Sequence, residues 1–339
     1  MSKRIKKKKY NIFHAKKTDS VEIIQFIKTD WSKNHIFTQS EKLFLWQYLD
    51  GDLLNFIVAW NIEKGTIDAI LGYISTKKYD SLLKGNNHWG AIWKIKEGAP
   101  PGLGIVLLNY LNNSKENATY AAIGISDIAK SIYIHLGYKV GSLNHYYCTN
   151  SNKKNTEIAQ INRIKKYKKL KNNSTLKEIN SLEKICLNHS FNPMKSIPYL
   201  IERYQNHPIY NYLFFGIYKM EKLESIWVIR KQYVNSSCCL RVVDIYGSLD
   251  GVGGLYVQLQ ELLEKENAEY IDCLNYGVSE SIFKDVGFEK LDLNGNTIIP
   301  NYFEPFLKKN IEIGFAVKSN YENYIIFKGD SDQDRPSIL

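Results

Sequence analysis

The apolar positions of this 339-residue chain fall into short blocks that alternate between the two periods of regular structure. Continuous or alternating apolar runs predict strands over Tyr10–Ala15, Asn55–Asn61, Ala69–Ser75, Trp89–Ile95 and Tyr120–Ile125. Apolar residues three and four apart predict helices over Ser20–Lys28, Gly102–Leu111 and Ile128–Leu136. Gly141 to Cys148 reads as a closing pair of strands, and an aromatic segment, His35 to Tyr48, precedes the second strand. Strands interleaved with helices imply a mixed α/β sheet.

Periodicity fades from Thr149 to Ser174, where Asn, Lys and Ser cluster. The stretch predicts a boundary, with one domain over 1–150, a basic polar linker over 151–174 and a second domain over 175–339. Beyond it come predicted helices at Leu176–Leu187 and Ile197–Gln205, then strands at Tyr212–Tyr218, Ser225–Tyr233 and Cys239–Tyr246. A turn carrying Gly247, Gly251, Gly253 and Gly254 leads into a helix over Leu255–Glu266, a strand over Tyr270–Leu274 and a helix over Val278–Val286. The order of the first half thus returns. Gly102-Leu103 recurs as Gly254-Leu255, and Leu136-Gly137-Tyr138 as Val286-Gly287-Phe288, so an internal duplication is the simplest account.

Length favours two domains, and 44% apolar residues with 24 Tyr, 14 Phe and 6 Trp are enough to fill two cores. No apolar run approaches the roughly 20 residues that span a bilayer. The lysine-rich start, Lys3 to Lys9, has no apolar stretch behind it, so neither secretion nor a membrane span is expected. The five cysteines have no metal-ligand spacing and read as reduced thiols of a cytoplasmic protein, with no metal. The net charge of +10 shrinks on inspection: residues 3–9 and 163–171 hold twelve Lys/Arg and no acid, leaving 33 basic against 35 acidic residues. A nucleic-acid partner is therefore not expected of the folded body.

Chemistry concentrates in Ala99-Pro-Pro-Gly-Leu-Gly-Ile105, where two glycines open an apolar helix. A helix start uncovered by side chains offers unpaired N–H donors and partial positive charge, which suits a pyrophosphate. Later, Tyr133-Ile-His-Leu-Gly-Tyr138 ends a helix at Gly137 with a tyrosine one turn earlier. Together these segments resemble the acyl-CoA-binding core of the GNAT (Gcn5-related N-acetyltransferase) superfamily. The resemblance implies an α/β fold of two tandem GNAT-like domains, each a mixed central sheet flanked by helices. It implies acetyl-CoA or another acyl-CoA as donor, held by Ile95, Gly102, Leu103, Gly104 and Ile105. Strand-edge amides near Trp93–Ile95 would polarise the thioester carbonyl, and Tyr133 would return a proton to the CoA thiolate. An ordinary strand–helix turn and a packed tyrosine are the competing readings. The sequence departs from the family's Arg/Gln-x-x-Gly-x-Gly/Ala loop at Ala99, and in the second half Asp250 and Phe283 stand where a phosphate loop and a proton donor would be. Asp127 reads as a helix cap.

His35 and Glu41 are candidate proton acceptors, and Trp46 and Tyr48 candidate faces for a sugar or nucleotide acceptor. The alternative is an amphipathic helix start with Ser40 as cap and Leu43, Phe44 and Tyr48 in the core. The C-terminal Lys328-Gly-Asp-Ser-Asp-Gln-Asp-Arg-Pro336 is either a disordered acidic tail or a polar cluster folded over a cleft, with Asp332 and Arg335 touching the acceptor. This ending and the His35–Tyr48 segment resemble GNAT-like proteins of bacterial surface-polysaccharide gene clusters, which implies an amino sugar or nucleotide-sugar acceptor. A Fem-type transferase taking its acyl group from charged tRNA, and an inactive GNAT-fold binding protein, remain as alternatives. The acceptor, the acyl length and the oligomeric state are left open.

Overall fold

The computed structural model describes residues 9–114, 118–162, 174–249 and 254–337. The basic run over 163–171 lies outside them, as do Asp250, Gly251 and Gly253 of the glycine-rich turn. Contacts divide the chain into two compact units. One takes residues up to Lys78 together with Gly85–Ala122; the other takes Tyr79–Lys84 and the chain from Ile123 onward.

The first unit runs β1 (Tyr10–Lys16), α1 (Ser20–Asp30), α2 (Ile36–Gln39), α3 (Glu41–Tyr48), β2 (Leu49–Asp50), β3 (Leu53–Asn61), β4 (Thr66–Ser75), β5 (Asn86–Ile95), α4 (Leu103–Ser114) and β6 (Ala118–Ile123). Its strands follow the order β1-β3-β4-β5-β6, with β2 beside β3. Neighbours are antiparallel except β5 and β6, and that parallel step is the one a crossover helix must make, supplied here by α4. Helix α4 buries Leu103, Gly104, Leu107, Leu108 and Leu111, one stripe of a 3.6-residue period. Phe37, Phe44, Tyr48 and Phe56 form an aromatic cluster with ring centroids 4.6–5.7 Å apart.

The second unit contains α5 (Asp127–His135), β7 (Lys139–Ser142), β8 (Asn144–Thr149), β9 (Ser174–Ile179), α6 (Ile197–Leu200), β10 (Tyr212–Lys219), β11 (Lys222–Val234), β12 (Ser237–Gly247), α7 (Tyr256–Lys265), β13 (Ala268–Tyr276), α8 (Glu280–Val286), β14 (Glu289–Lys290), β15 (Tyr302–Phe303), β16 (Phe306–Leu307), β17 (Gly314–Lys318) and β18 (Ile326–Phe327). Its mixed sheet has the order β14-β8-β13-β12-β11-β10-β9, with β18 beside β13. Here β12 and β13 are the parallel pair and α7 is the crossover. The two crossovers, β5–α4–β6 and β12–α7–β13, fall where the sequence repeat places Gly102-Leu103 and Gly254-Leu255. Trp227, Ile229, Leu240, Val242, Leu259 and Ile271 lie in the core between sheet and helix.

Three expectations are corrected. The predicted helix over Leu176–Leu187 does not form: its first residues belong to strand β9, paired residue by residue with β10 from Ser174 to Ile179, and the rest has no regular structure. Leu176 and Ile179, three apart, mimic a helical stripe, but an available strand edge overrides that weak local preference. Gly141 to Cys148 is not a pair of strands closing on each other: β7 pairs with β17 and β8 with β13. Both partners lie more than 120 residues further along the chain, beyond the reach of a local pattern. Helix α5 is capped by Ser126, whose Oγ accepts from Ala129 N at 3.3 Å, and Asp127 is its first helical residue.

Candidate functional site

In the first unit the chain turns from β5 into α4 through Lys96–Gly102. Lys96 N donates to Asp68 O at 2.8 Å and Ala99 N to Lys96 O at 3.1 Å, with Gly98 and Gly102 at φ of +76° and +83°. Only glycine adopts that conformation without strain. Gly102 is exposed with open space where a Cβ would stand, and the first turn of α4 carries no acidic side chain. The end of β5 is equally distinctive. Against β4 the register jumps from Gly72↔Ile92 to Tyr73↔Gly90, so Ala91 is a bulged residue. On the other edge, pairing with β6 ends at Gly90↔Ala122, whereas β5 continues to Ile95. Alternate backbone groups of 91–95 therefore face an edge that β6 has left.

The two glycines do different jobs. Gly104 lies on the buried face of α4, and a Cβ there would stand 2.8 Å from Trp93 Nε1 and 2.9 Å from Ile95 Cδ1. Its missing side chain lets the helix approach β5 and does not clear a path for phosphate, which corrects the expectation that both glycines lie bare. Gly104→Val is expected to lower stability by about 1–3 kcal/mol through overpacking. Chemical denaturation checks it, and an unchanged midpoint would mean that α4 rides further from β5 than described.

The aromatic segment is structural where it is buried. His35 caps α2, its Nδ1 accepting from Phe37 N at 3.3 Å, with ring centroids of Trp31 and Phe37 at 5.2 and 5.0 Å. Ser40 Oγ accepts from Leu43 N at 3.2 Å and caps α3. Tyr48 is fully buried in the aromatic cluster, so it offers no face to a ligand. Glu41 is exposed in the first turn of α3, and Trp46 is half-buried with Lys78 Nζ 6.0 Å from its ring centre.

In the second unit Tyr133 is buried on α5 with its ring 5.0 Å from that of Tyr138. Phe283 stacks on Tyr146 at 4.2 Å, in the core. The C-terminal segment is not a free tail. Gly329 N donates to Val243 O at 2.9 Å, and Phe327 N to Asp330 Oδ2 at 2.7 Å. A Cβ at Gly329 would meet Tyr204 Oη at 2.7 Å and the Val243 carbonyl at 2.8 Å.

Around this segment lies a network of buried charges. Lys195 Nζ stands 2.6 Å from both Asp244 Oδ1 and Asp330 Oδ1. Arg203 donates to Tyr79 Oη at 2.9 Å and to the carbonyls of Gly329 and Ser331 at 3.1 and 2.5 Å. Arg230 meets Asp334 at 2.8 Å, and Arg241 forks onto Asp272 at 2.8 and 2.5 Å. His145 Nε2 lies 2.8 Å from Asp272 Oδ2; burial keeps its imidazole below the usual histidine range, so it is the neutral donor to that carboxylate. Burial resists ionisation of Asp272, but Arg241 and His145 outweigh it and hold the carboxyl at about 2. Asp332 pairs with Arg335 at 3.2 Å, and both line a cavity of about 130 Å³ with Arg230, Gln232, Asn301 and Lys328.

Of the residues singled out in the sequence, Asp332 and Arg335 therefore share one cavity. Gly102, Leu103, Gly104 and Ile105 share one helix start, where Gly104 touches Ile95. Sequence reasoning named Lys328 only as the start of the C-terminal segment and missed Arg230, Gln232 and Asn301. A signal existed: Arg230, Arg241 and Asp244 are charges inside otherwise apolar strand runs, and such charges are seldom buried unless paired. Among the described residues no helix is long and apolar enough to cross a membrane, and no group of three His, Cys, Asp or Glu is placed to hold a metal ion.

No family model matches the sequence, and no curated protein matches it. Solved structures do. A GCN5-related N-acetyltransferase from Anabaena variabilis superposes with a TM-score of 0.53 at 9% identity, covering 91% of this chain and 72% of that one. A conserved protein of Enterococcus faecalis, described as a probable N-acyltransferase, gives 0.52 at 10% identity over 84% of this chain and 70% of its own. At these identities the likeness is one of fold: an α/β chain with two mixed sheets flanked by helices, consistent with two GNAT-like domains.

Proposed function

We propose that this protein is an acyl-CoA-dependent N-acyltransferase, with acetyl the first acyl group to test and an amino sugar or nucleotide-sugar as acceptor. The observation that carries the reading is the end of β5. Its bulge at Ala91 and its unshared edge over 91–95 stand beside a helix start with an exposed glycine and no acid in its first turn. An extended pantetheine arm carries amides that suit a strand edge, and a pyrophosphate suits the amides around Gly102 and Leu103. In the reaction the acceptor amine attacks the thioester carbonyl, a C–N bond forms, the C–S bond breaks and the amine passes a proton to water. Amides of 93–95 would polarise the carbonyl, and the departing thiolate takes a proton, in this reading from Tyr133. The fold of the two solved neighbours supports the class of reaction and leaves the acceptor to experiment.

Titration of the full chain with acetyl-CoA in a calorimeter is expected to give saturable one-site binding, and CoA is expected to compete. Mass spectrometry of amino sugars incubated with protein and acetyl-CoA should then show a gain of one acetyl group. Absence of any CoA binding would overturn the proposal. Affinity for charged tRNA that falls steeply with salt would instead indicate a Fem-type donor.

A further inference from the structure

We propose that the cavity beneath the C-terminal segment of the second unit is a binding site for a small carboxylate that also carries hydroxyl or amine donors: an α-hydroxy acid, an α-amino acid or a sugar acid. The inference rests on this cavity and does not depend on the acyl-CoA reading.

The cavity, about 130 Å³, far exceeds the roughly 10–15 Å³ that admits one water. Its polar walls are deeply buried: Arg230 is 8% exposed, Gln232 5%, Asn301 2% and Lys328 2%. Three of their atoms, Arg230 Nε, Gln232 Oε1 and Asn301 Oδ1, are buried with no hydrogen-bond partner in the protein. Leaving such groups unmet forfeits their hydration with nothing in return, so one donor and two acceptors are held ready for something that enters. The guanidinium of Arg230 is fixed on two sides, by Asp334 at 2.8 Å and by the ring of Tyr210, 3.9 Å from its centroid, and its Nε is buried without a partner.

Charge decides the class of ligand. Arg230 has Asp334, Arg335 has Asp332, and the lining carboxylate of Glu304 accepts from Tyr210 Oη at 2.8 Å and Ser337 N at 2.7 Å, but among the described residues Lys328 has no carboxylate within 4.0 Å. Its Nζ donates to the Asn301 carbonyl at 2.5 Å and lies 5.1 Å from the Tyr302 ring centre. Burial lowers its affinity for a proton well below the usual lysine range; Arg241 and Arg230 lower it further, while Asp334 and Asp272 act the other way. A carboxylate at contact distance is what Lys328 lacks. An entering carboxylate supplies that partner with one charge, whereas a phosphate monoester would bring about two. The orphan acceptors of Gln232 and Asn301 then call for hydroxyl or ammonium donors on the same molecule. A wider cavity of about 560 Å³ shares Tyr210, Arg230, Gln232, Phe303 and Glu304, so the rest of a sugar acid has room there.

The test is calorimetry on the full chain with glycine, glycolate and D-glucuronate, against ethanolamine and glucose, which lack the carboxylate. At least one of the three acids is expected to bind saturably at millimolar concentration or below, and neither control should. Repeating the titration in buffers of different ionisation heat should show proton uptake as Lys328 gains its counter-charge. Gln232→Leu removes an acceptor that nothing in the protein engages, so its melting point should hold or rise while affinity drops about tenfold. Glycine binding without D-glucuronate binding would select the amino acid, and the reverse the sugar acid. No binding of any acid, or equal binding to wild type and Gln232→Leu, would overturn the proposal and leave a cavity of ordered water.

Discussion

Lys195→Met is expected to destabilise the protein by about 3–5 kcal/mol, because it leaves two carboxylates buried around an apolar side chain. Lys195 is fully buried, with Nζ 2.6 Å from Asp244 and from Asp330, and Tyr204 Oη donates to the other oxygen of Asp244 at 2.8 Å. The intact cluster already has its own pH dependence. Burial and the charge of Asp244 push Asp330 up to about 6, against the pull of Lys195. The folded protein thus holds this proton more tightly than the unfolded chain, and the contribution of Asp330 falls as pH rises from about 4 to about 6. In Lys195→Met the carboxyl of Asp330 loses that pull and should protonate more readily, so the deficit should narrow between pH 7 and about pH 5. Below that window Asp272 works in the opposite direction: held at about 2, its contribution is present above about pH 4 and lost as pH falls through 2. Urea titrations at pH 7, 6 and 5 check the prediction. A loss under 1 kcal/mol that does not vary with pH would mean that water reaches the cluster.

Tyr133→Phe is expected to lower acyl transfer by about 10²–10⁴-fold while leaving the Kd for acetyl-CoA nearly unchanged, since the ring stays and a proton donor goes. The ring is buried beside Tyr138, so its packing survives the substitution. Phe283→Tyr should not raise turnover: Phe283 is stacked on Tyr146 inside the core of the second unit. Rates are to be read beside thermal melts. Full turnover in a well-folded Tyr133→Phe protein would leave this tyrosine a packing residue and place the proton donor elsewhere.

The parts of the fold legible in the sequence are those with a local cause. Helix α4 announces itself through Gly102 and the stripe Leu103–Leu107–Leu111, and Ser40 through its position before an apolar stripe. The helices of the two parallel crossovers could be found because each stands between predicted strands and opens on Gly-Leu, whereas the parallel pairing itself is seen only in the structure. What failed locally failed for one reason. Ser174–Ile179 carries apolar residues three apart and still became a strand, because β10 offered it an edge. Strands β7 and β8 read as partners, but their real partners are β17 and β13.

The candidate sites divide in the same way. The sequence by itself determined the alternation of strands and helices, the recurrence of a Gly-Leu helix start and the glycine-opened turn into α4. Each depends on backbone freedom or on apolar spacing within about a dozen residues. Only the tertiary structure decided that Gly104 faces Trp93 while Gly102 faces outward, that Tyr48 belongs to a core, and that Lys328 and Arg335 share a cavity with Arg230. A buried charge is tolerated only where its partners converge on it, and Arg230 and Asp334, or Lys195 and Asp330, lie more than 100 residues apart in the chain. The sequence shows the charge; the fold alone supplies the company that lets it stay.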